Sequence, residues 1–458
     1  MLSGSIPSVS RELLSLESID FSSNNLTGGI ANDMFDHIPK LSRLFLGFNM
    51  LSGEIPRQIV NLTLLRQFDS SFNNFTGTIP PQIGNLKNLE LLNLGVNNLV
   101  GSIPPQVFNI STLWKISVIS NQLSGHLPSS IGLRLPNLEG LYVGGNHLVG
   151  PFPMSITNAS ELTDLELSSN YFSGSIPDTL GNLRNLTYLH LGFNNLTSSG
   201  MSFLSSLANC RGLEYLGFEN NPLVSGELPG LIGNLSGSLQ TFLASGCDIR
   251  GSIPREIGNL SRLIRMELDD NVLTGLIPTT FGELKELQSI SLMENKLQGS
   301  VPYELCQLNN LAYLFLTSNN LSGPIPSCLG LNHLLILNLS SNSLSGPLPI
   351  DIGKWNVLIS MDLSNNQFSS DIPAGIANLK DLTHFSLSNN RITDQVVDPN
   401  LLSTSETERV AANDCALSIL QVGLECSVEL PDERLNMKEI VTRLKKIRAK
   451  FLADQSLA

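Results

Sequence analysis

The sequence predicts an α/β-type repeat solenoid, in which one short unit recurs along the chain and each copy stacks on the next. The first observation is a pattern of leucines, one asparagine and a glycine-proline turn, which is clearest over residues 263–278 and returns over 287–302. The second is its regularity, since Asn271 and Asn295 occupy the same place 24 residues apart (295 − 271). The third is physical: one copy cannot bury its apolar edge alone, so the copies must stack.

The recurring unit has the form of a leucine-rich repeat. In LIRMELDDNVLTGLIP (263–278) the signature L-x-x-L-x-L-x-x-N-x-L continues into G-x-I-P. The asparagine of this signature recurs once in each repeat, and we call its place the ladder position. We expect each ladder asparagine to form hydrogen bonds with backbone groups that would otherwise be buried unpaired, which is a structural role. We therefore predict a right-handed horseshoe or superhelix with a parallel sheet on its concave side. The ladder positions, one of which is filled by cysteine, are Asn24, Asn49, Asn73, Asn97, Asn121, Asn146, Asn170, Asn194, Asn221, Cys247, Asn271, Asn295, Asn319, Asn342, Asn366 and Asn390.

The repeat array is predicted over residues 1–394, with three irregular places. It opens in mid-repeat, because L-S-G-S-I-P at the start is what normally follows a ladder asparagine. An insertion occupies residues 31–40, and residues 198–206 replace one G-x-I-P turn. The period stops after Ile392, so the second predicted domain is residues 395–458.

Residues 395–458 predict a short all-helical tail that is rich in both charge signs. Ser405 with Glu408 forms a capping box ahead of the first helix, and Asn436 with Glu439 suits the start of a second. The second helix has one apolar face. That face is typical of a packed amphipathic helix, and the alternative is binding to a membrane surface or to calmodulin.

Composition excludes several classes of partner. The net charge of −13 argues against nucleic acid and against an anionic membrane surface. The sequence has no apolar run of the roughly 18 residues that a membrane-spanning helix needs. Its first residues, MLSGSIPSVSREL, lack the basic and apolar regions of a signal peptide, so we expect neither an export signal nor an anchor in the chain as written.

The six cysteines include no C-x-x-C pair, so zinc and thioredoxin-like chemistry are not predicted, and we expect no metal and no cofactor. Cys210 falls in an inward-looking turn and should be a buried free thiol. Cys306 and Cys328 occupy nearly equivalent positions on consecutive repeats, which should lie about 5 Å apart. They either pair as a disulfide, if the protein is exported, or remain thiols.

The repeats resemble the extracellular part of plant leucine-rich-repeat receptor kinases. N-x-L-x-G-x-I-P units of 24 residues carry this resemblance, and SSLANCRGLEYL, PREIGNL and ELCQL…IPSCLG resemble the subgroup that includes immune receptors for bacterial molecules. In the tail, QVVDPNLL and ILQVGLECSVELPDERLNMKEIVTRLKKIR resemble the last two helices of those receptors' kinase domains. The resemblance implies a glycoprotein at the plasma membrane with extracellular repeats, acting in signal transduction and defence.

The sequence departs from that family in its catalytic parts. It contains no Gly-rich nucleotide loop, no V-A-I-K lysine, no H-R-D loop and no D-F-G, so phosphoryl transfer is not expected. Arg434 matches an arginine that in the family pairs with the glutamate of A-P-E, which is absent here. Three interpretations remain: a ligand-binding ectodomain, a receptor serine/threonine kinase whose gene model has lost its catalytic core, and a decoy or non-functional truncated product.

A candidate binding surface follows from strand geometry. Side chains alternate between the two faces of a strand, so residues that flank the buried leucines should point outward on the concave sheet. Aromatic residues there would anchor a peptide or protein ligand, with a co-receptor as a further partner, and acidic residues would steer a basic ligand. The alternative is an ordinary soluble surface, and His190 lacks the flanking His or Cys of a metal site. The candidates are Trp114, Tyr142, Glu166, Tyr188, His190, Phe193, Tyr215, Glu219, Glu267, Asp269, Asp270 and Glu294.

The motif N-x-S/T recurs along the array and marks candidate N-glycosylation sites, which would be used only on an exported protein. Many of these N-x-S/T motifs arise because N-N-L-T and N-L-S are common parts of the repeat sequence itself. The acceptor asparagines are Asn25, Asn61, Asn74, Asn109, Asn158, Asn185, Asn195, Asn234, Asn259, Asn320 and Asn338.

Overall fold

The computed structural model describes residues 1–6 and 13–392, together with Lys446. The predicted helical tail, with Arg434 and both capping boxes, therefore lies outside the described residues. The chain forms two compact units. The first comprises Met1–Leu297 with Gln307–Tyr313, and the second comprises Gln298–Cys306 with the chain from Leu314 onward.

Each repeat of the first unit contributes a three-residue strand to a parallel sheet, hereafter the main sheet. The register is uniform: Leu189 pairs with Leu216 across one strand pair and Phe242 with Met266 across another. These central residues are fully buried, and this burial of the apolar side chain stabilises the strand at the L-x-L part of the motif. The strands are Ser18–Asp20, Arg43–Phe45, Gln67–Asp69, Leu91–Asn93, Lys115–Ser117, Gly140–Tyr142, Asp164–Glu166, Tyr188–His190, Tyr215–Gly217, Thr241–Leu243, Arg265–Glu267 and Ser289–Ser291.

A second strand follows most ladder positions and pairs in parallel with its counterparts in a four-stranded and an eight-stranded sheet. The glycine of the G-x-I-P turn is required here, because Gly275 has φ 76°, a left-handed conformation that a side chain disfavours. Ser3–Ser5 pairs with Asn25–Gly28, so the initial half-repeat stacks on the first complete one. The strands are Ser3–Ser5, Asn25–Gly28, Met50–Glu54, Asn74–Thr76, Val100–Ser102, Gln122–Gly125, His147–Pro151, Tyr171–Ser175, Asn195–Ser199, Leu223–Glu227, Asp248–Ser252 and Val272–Thr274.

Short helices complete the repeats, and most begin directly after the proline of the G-x-I-P turn. Pro278, for example, has φ −62° at the N-cap of the helix Thr279–Glu283. Ile131–Arg134 and Ser202–Ser206 are α-helical, and the latter occupies the stretch that lacks the usual turn. The remaining helices are 3₁₀ segments: Met34–His37, Arg57–Asn61, Pro81–Asn85, Val107–Asn109, Met154–Asn158, Asp178–Asn182, Leu207–Asn209, Gly230–Asn234, Arg255–Asn259 and Thr279–Glu283.

The second unit contains the same repeat motif, together with a disulfide between Cys306 and Cys328, whose Cα atoms are 5.6 Å apart. In the first unit, Cys210 and Cys247 are buried free thiols. From residue 298 onward, strands equivalent to the main sheet are Tyr313–Phe315, of which Tyr313 belongs to the first unit, Ile336–Asn338, Ser360–Asp362 and His384–Ser386. The second strands are Gln298–Gly299, Asn320–Gly323, Ser343–Gly346, Gln367–Ser370 and Arg391–Ile392, and the 3₁₀ helices are Tyr303–Gln307, Ile350–Lys354 and Ala374–Asn378.

The ladder asparagines have the structural role that the sequence predicted. Asn295 Oδ1 accepts a hydrogen bond from the backbone N–H of Leu273 in the preceding repeat (2.9 Å). Its amide donates to the carbonyl of Leu268 in that repeat (2.9 Å) and to those of Leu292 and Met293 in its own (3.3 and 3.0 Å). Each such side chain therefore connects two consecutive repeats by hydrogen bonds to their backbones.

Cys247 fills a ladder position with a weaker hydrogen-bonding group. Its thiol contacts the carbonyls of Phe218 and Ser245, each at 3.6 Å. In other repeats, the ladder asparagine accepts a hydrogen bond from a backbone N–H of the preceding repeat. Here the equivalent N–H, that of Val224, donates instead to the carbonyl of Asn221 (2.9 Å). The chain thus replaces the missing side-chain acceptor with a local backbone turn.

The predicted leucine-rich-repeat solenoid with long parallel sheets is confirmed. In the described part of the chain, no helix has the length and apolar character that crossing a bilayer requires.

Candidate ligand-binding surface

The first and third residues of each main-sheet strand point away from the core, because neighbouring residues on a strand face opposite ways. We call this side of the first unit the outward face. At Tyr188–His190 the central Leu189 is fully buried, while Tyr188 and His190 lie on the outward face. Six sequence-predicted residues occupy such positions: Tyr142, Glu166, Tyr188, His190, Tyr215 and Glu267.

The other six candidates lie off the strands. Glu219 and Asp269 each follow a strand end by two residues and still reach the outward face. Phe193, Asp270 and Glu294 lie at the next position, in a left-handed turn with φ of 56°, 49° and 51°. Trp114 precedes the strand Lys115–Ser117. The structure therefore places these four residues just outside the three-residue main-sheet strands.

Glu166, His190 and Glu219 form one ionic cluster across three consecutive repeats. His190 Nδ1 is 2.9 Å from Glu166 Oε2, and His190 Nε2 is 2.7 Å from Glu219 Oε1. The backbone N–H of Ser168 donates to Glu166 Oε1 (2.7 Å). Only 5% of Glu166 and 7% of Glu219 is exposed. Both carboxylates are therefore buried, because each is covered by its hydrogen-bonding partners.

Two tyrosines border the cluster. Tyr188 and Tyr215 stack with ring centroids 4.5 Å apart, and the His190 ring meets Tyr215 edge-on at 5.3 Å. The hydroxyl of Tyr188 donates to Glu166 Oε2 (3.0 Å), which fixes the orientation of that ring. Stacking and edge-on contacts of this kind are favourable arrangements for aromatic rings. We name these five residues, Glu166, Tyr188, His190, Tyr215 and Glu219, the central cluster.

Glycines make the space that the central cluster occupies. A Cβ atom on Gly144 would lie 2.7 Å from Glu166 Oε1, and one on Gly217 would lie 2.9 Å from Glu219 Oε2. A Cβ on Gly192 would overlap Glu219 Oε1. All three glycines lie at outward positions of the repeat, where most repeats carry a side chain. The carboxylates are therefore recessed into the outward face, a feature that sequence reasoning missed although the glycines interrupt the pattern of outward side chains.

The electrostatics of the central cluster favour its charged form. Burial opposes protonation of His190, but its hydrogen bonds to Glu166 and Glu219 and their charges outweigh this and raise its pKa to about 9. Burial would raise the pKa of Glu166, but the hydrogen bond and charge of His190 and the bonds from Ser168 lower it. Burial and nearby carboxylates raise the pKa of Tyr215 to about 12 and that of Tyr188 further. At neutral pH, His190 is an imidazolium and both tyrosines are neutral.

This pairing predicts a pH-dependent stability. Because the pKa of His190 is raised from 6.5 to about 9 by folding, its contribution is complete below pH 6.5 and is lost as pH rises towards 9. We expect that loss to be on the order of 2 kcal/mol. The measurement is the difference in unfolding free energy between the wild type and His190→Gln from pH 6 to pH 9. A difference that does not shrink with rising pH would contradict the assignment.

Two of the four acidic candidates beyond the central cluster, Glu267 and Asp269, have local partners. Glu267 Oε1 accepts a hydrogen bond from Arg265 Nε (2.7 Å), which offsets its charge. Asp269 Oδ1 accepts the backbone N–H of Met293 (2.9 Å), and burial raises the pKa of this carboxyl. Asp270 and Glu294 are exposed. Electrostatic steering by this group is therefore weaker than the carboxylate count suggests, and Asp269 joins two repeats.

The remaining aromatic candidates are dispersed. The ammonium of Lys115 lies 4.9 Å from the ring centroid of Tyr142, and burial and Asp164 raise the pKa of Tyr142 to about 12. Phe193 is 51% exposed. Among the residues that the structure describes, no group of His, Cys, Asp or Glu side chains is arranged to hold a metal ion.

The candidate glycosylation sites lie away from the central cluster. Ten of the eleven acceptor asparagines are exposed, and Asn338 is half-buried. Asn338 is the third residue of the strand Ile336–Asn338, in the second unit. None of the eleven lies on a main-sheet strand of the first unit.

The sequence and the fold are similar to those of known leucine-rich-repeat proteins. EFR, an LRR receptor-like serine/threonine-protein kinase of Arabidopsis thaliana, is 43% identical over 90 residues, which are 19% of this chain and 9% of EFR. The plant peptide hormone receptor RGFR1, solved with RGF2, is 32% identical with a TM-score of 0.67, covering 85% of this chain and 69% of that one. Models described as leucine rich repeat match residues 136–196, 261–321, 15–36, 64–86, 333–355 and 357–379.

The Arabidopsis receptor kinase HAESA, solved with the peptide hormone IDA and the co-receptor SERK1, is 33% identical with a TM-score of 0.68. The alignment covers 85% of this chain and 72% of the HAESA chain. The chain belongs to the family of plant leucine-rich-repeat receptor ectodomains. The family models cover repeats alone, and the solved relatives in this comparison include peptide-bound receptors.

Proposed function

We propose that this leucine-rich-repeat receptor ectodomain binds an extended peptide or protein segment on the outward face, centred on the central cluster. The observation that carries the proposal is the stacked pair Tyr188–Tyr215, which is held by the ionic cluster and lies on a strand face. Both rings are half-buried, so one surface of each remains available to a partner. The role we assign is ligand recognition in plant signalling or defence.

Physical chemistry supports this position. Aromatic side chains offer a large contact area with few rotatable bonds, and they dominate the energetics of many interfaces. Here the hydrogen bond from Tyr188 to Glu166 fixes one ring in advance, which reduces the entropy lost on binding. RGFR1 and HAESA are each known in complex with a peptide hormone, and HAESA also with the co-receptor SERK1. We extend to this chain a peptide or protein ligand and a co-receptor.

We further propose that residues 395–458 derive from the end of a receptor kinase domain and that the chain transfers no phosphate. The first part is supported by the resemblance of the tail sequences QVVDPNLL and ILQVGLECSVELPDERLNMKEIVTRLKKIR to the last kinase helices. The second is supported by the absence from the sequence of the motifs that hold nucleotide and magnesium. The second candidate function is a receptor kinase whose gene model has lost its catalytic core, or a decoy product. Sequencing the transcript for the kinase motifs separates it from a binding module alone.

The proposal predicts that Tyr188→Ala and Tyr215→Ala each weaken ligand binding by about 1–3 kcal/mol. A displayed library of random linear peptides is selected on the purified chain, and enriched peptides are synthesised and measured by calorimetry. Tyr171→Ala is the matched control, because Tyr171 is 53% exposed but lies on a second strand outside the main sheet. Failure to enrich any peptide, or equal losses at Tyr171 and Tyr188, would overturn the proposal.

A further inference from the structure

The central cluster contains one carboxylate oxygen that has no partner. Glu166 uses both of its oxygens, accepting from Ser168 at one and from His190 and Tyr188 at the other. Glu219 Oε1 accepts from His190 Nε2. Glu219 Oε2 is buried and accepts no hydrogen bond from any residue within the described part of the chain. A buried acceptor left unpaired costs free energy, so the site gains from any donor that reaches it.

This oxygen lies on the ligand side of the sheet. It is 2.9 Å from where a Cβ atom on Gly217 would be, and that point on the outward face is 3.1 Å from Tyr215 Cε1. Glu219 Oε2 therefore lies over Gly217, beside the edge of the Tyr215 ring. Because Gly217 has no side chain, the oxygen fills the space above it, where the half-buried rings of His190 and Tyr215 also lie and close it from solvent. A donor from the outward face reaches the oxygen when one of these ring edges shifts.

The charge balance of the recess is also incomplete. Two carboxylates, Glu166 and Glu219, share one imidazole. The nearby guanidinium of Arg265 is bonded to Glu267. A cation that donated to Glu219 Oε2 would offset the second carboxylate and would lie against an aromatic ring, which is a favourable environment for ammonium and guanidinium groups.

We infer that the ligand of the outward face carries a cationic group, a guanidinium or an ammonium, that donates a hydrogen bond to Glu219 Oε2 beside Tyr215. This inference rests on the proposed function and defines the chemical class of the ligand at one point. A basic side chain and a free peptide N-terminus share this chemistry. The acidic residues outside the central cluster play no part in it.

The test uses the selection described above, repeated on Glu219→Gln. This substitution keeps an acceptor for His190 but places an amide N–H₂ where the carboxylate oxygen was, so it should repel a donor cation. Peptides enriched on the wild type should contain arginine or lysine at one fixed place or require a free N-terminus. We expect Glu219→Gln to weaken their binding at least about tenfold. Replacing the basic residue with citrulline or norleucine, or acetylating the N-terminus, should give the same loss and identifies the source of the cation.

Glu267→Gln is the matched control, since it removes the same charge from the same face at a carboxylate that Arg265 already pairs. Peptides that depend on Tyr188 but carry no required cation, or that lose equal affinity on Glu219→Gln and Glu267→Gln, would overturn the inference and leave the proposed function standing. Absence of any enriched peptide would overturn both. Circular dichroism and the pH dependence of His190 show whether Glu219→Gln keeps the central cluster.

Discussion

Replacing Asn295 with alanine is expected to lower the free energy of unfolding by about 3–5 kcal/mol. The substitution leaves the buried N–H of Leu273 without its acceptor and removes the amide donor from the carbonyls of Leu268 and Leu292, whereas the carbonyl of Met293 keeps the N–H of Asp270. Each buried backbone group that is left unpaired costs about 1–3 kcal/mol, and partial rearrangement keeps the total below the sum. Urea denaturation followed by circular dichroism measures the loss.

Lys296→Ala is the control for this substitution, because Lys296 is the exposed next residue and should change stability by less than about 0.5 kcal/mol. Asn295→Cys should fall between the two, since Cys247 shows that a thiol satisfies part of the same pattern. Equal stabilities of Asn295→Ala and Lys296→Ala would show that the ladder hydrogen bonds do not stabilise the array.

Leu268→Ala is expected to cost about 2–5 kcal/mol of unfolding free energy by leaving a cavity between two repeats. Leu268 is fully buried, and its backbone also takes part in the strand edge and the asparagine ladder. Arg265→Ala on the same repeat is the control, because Arg265 is exposed and its pairing with Glu267 should contribute little. Hydrogen exchange on the intact chain should show the loss concentrated in the neighbouring repeats, since each repeat contacts only its neighbours. A cost for Leu268→Ala no larger than that for Arg265→Ala would contradict the role assigned to the leucine core.

The fold could be predicted from the sequence because its stabilising groups are periodic. A ladder asparagine such as Asn271 needs the same turn in every repeat, so its position alone locates strand, turn and helix. The exception was Cys247, where the backbone of Asn221 supplies the replacement bond, and no residue pattern signals that rearrangement.

The candidate site could be predicted only in part. Period and alternation identify which face Tyr188, His190 and Glu219 share, but they do not give the distances across strands. The ionic cluster depends on the size of neighbouring outward residues, here Gly192 and Gly217, whose missing side chains let the carboxylates be recessed. The position of a residue in the repeat predicts which face of the sheet its side chain lies on. Its burial and its hydrogen-bonding partners depend on the size of the side chains in the adjacent repeats.

The asparagine ladder also has a direction. Asn295 completes the repeat that contains Leu268 and Leu273, and Asn73 does the same for the backbone of Leu46 and Leu51. Both of these repeats are thus closed by a side chain that lies 22 residues later in the chain, counted from the N–H whose hydrogen bond it accepts. A ribosome delivers residues in that same order, so the growing array is closed one repeat at a time, with only the newest repeat awaiting its asparagine. Synthesis and completion of the repeats therefore proceed in the same direction along the chain.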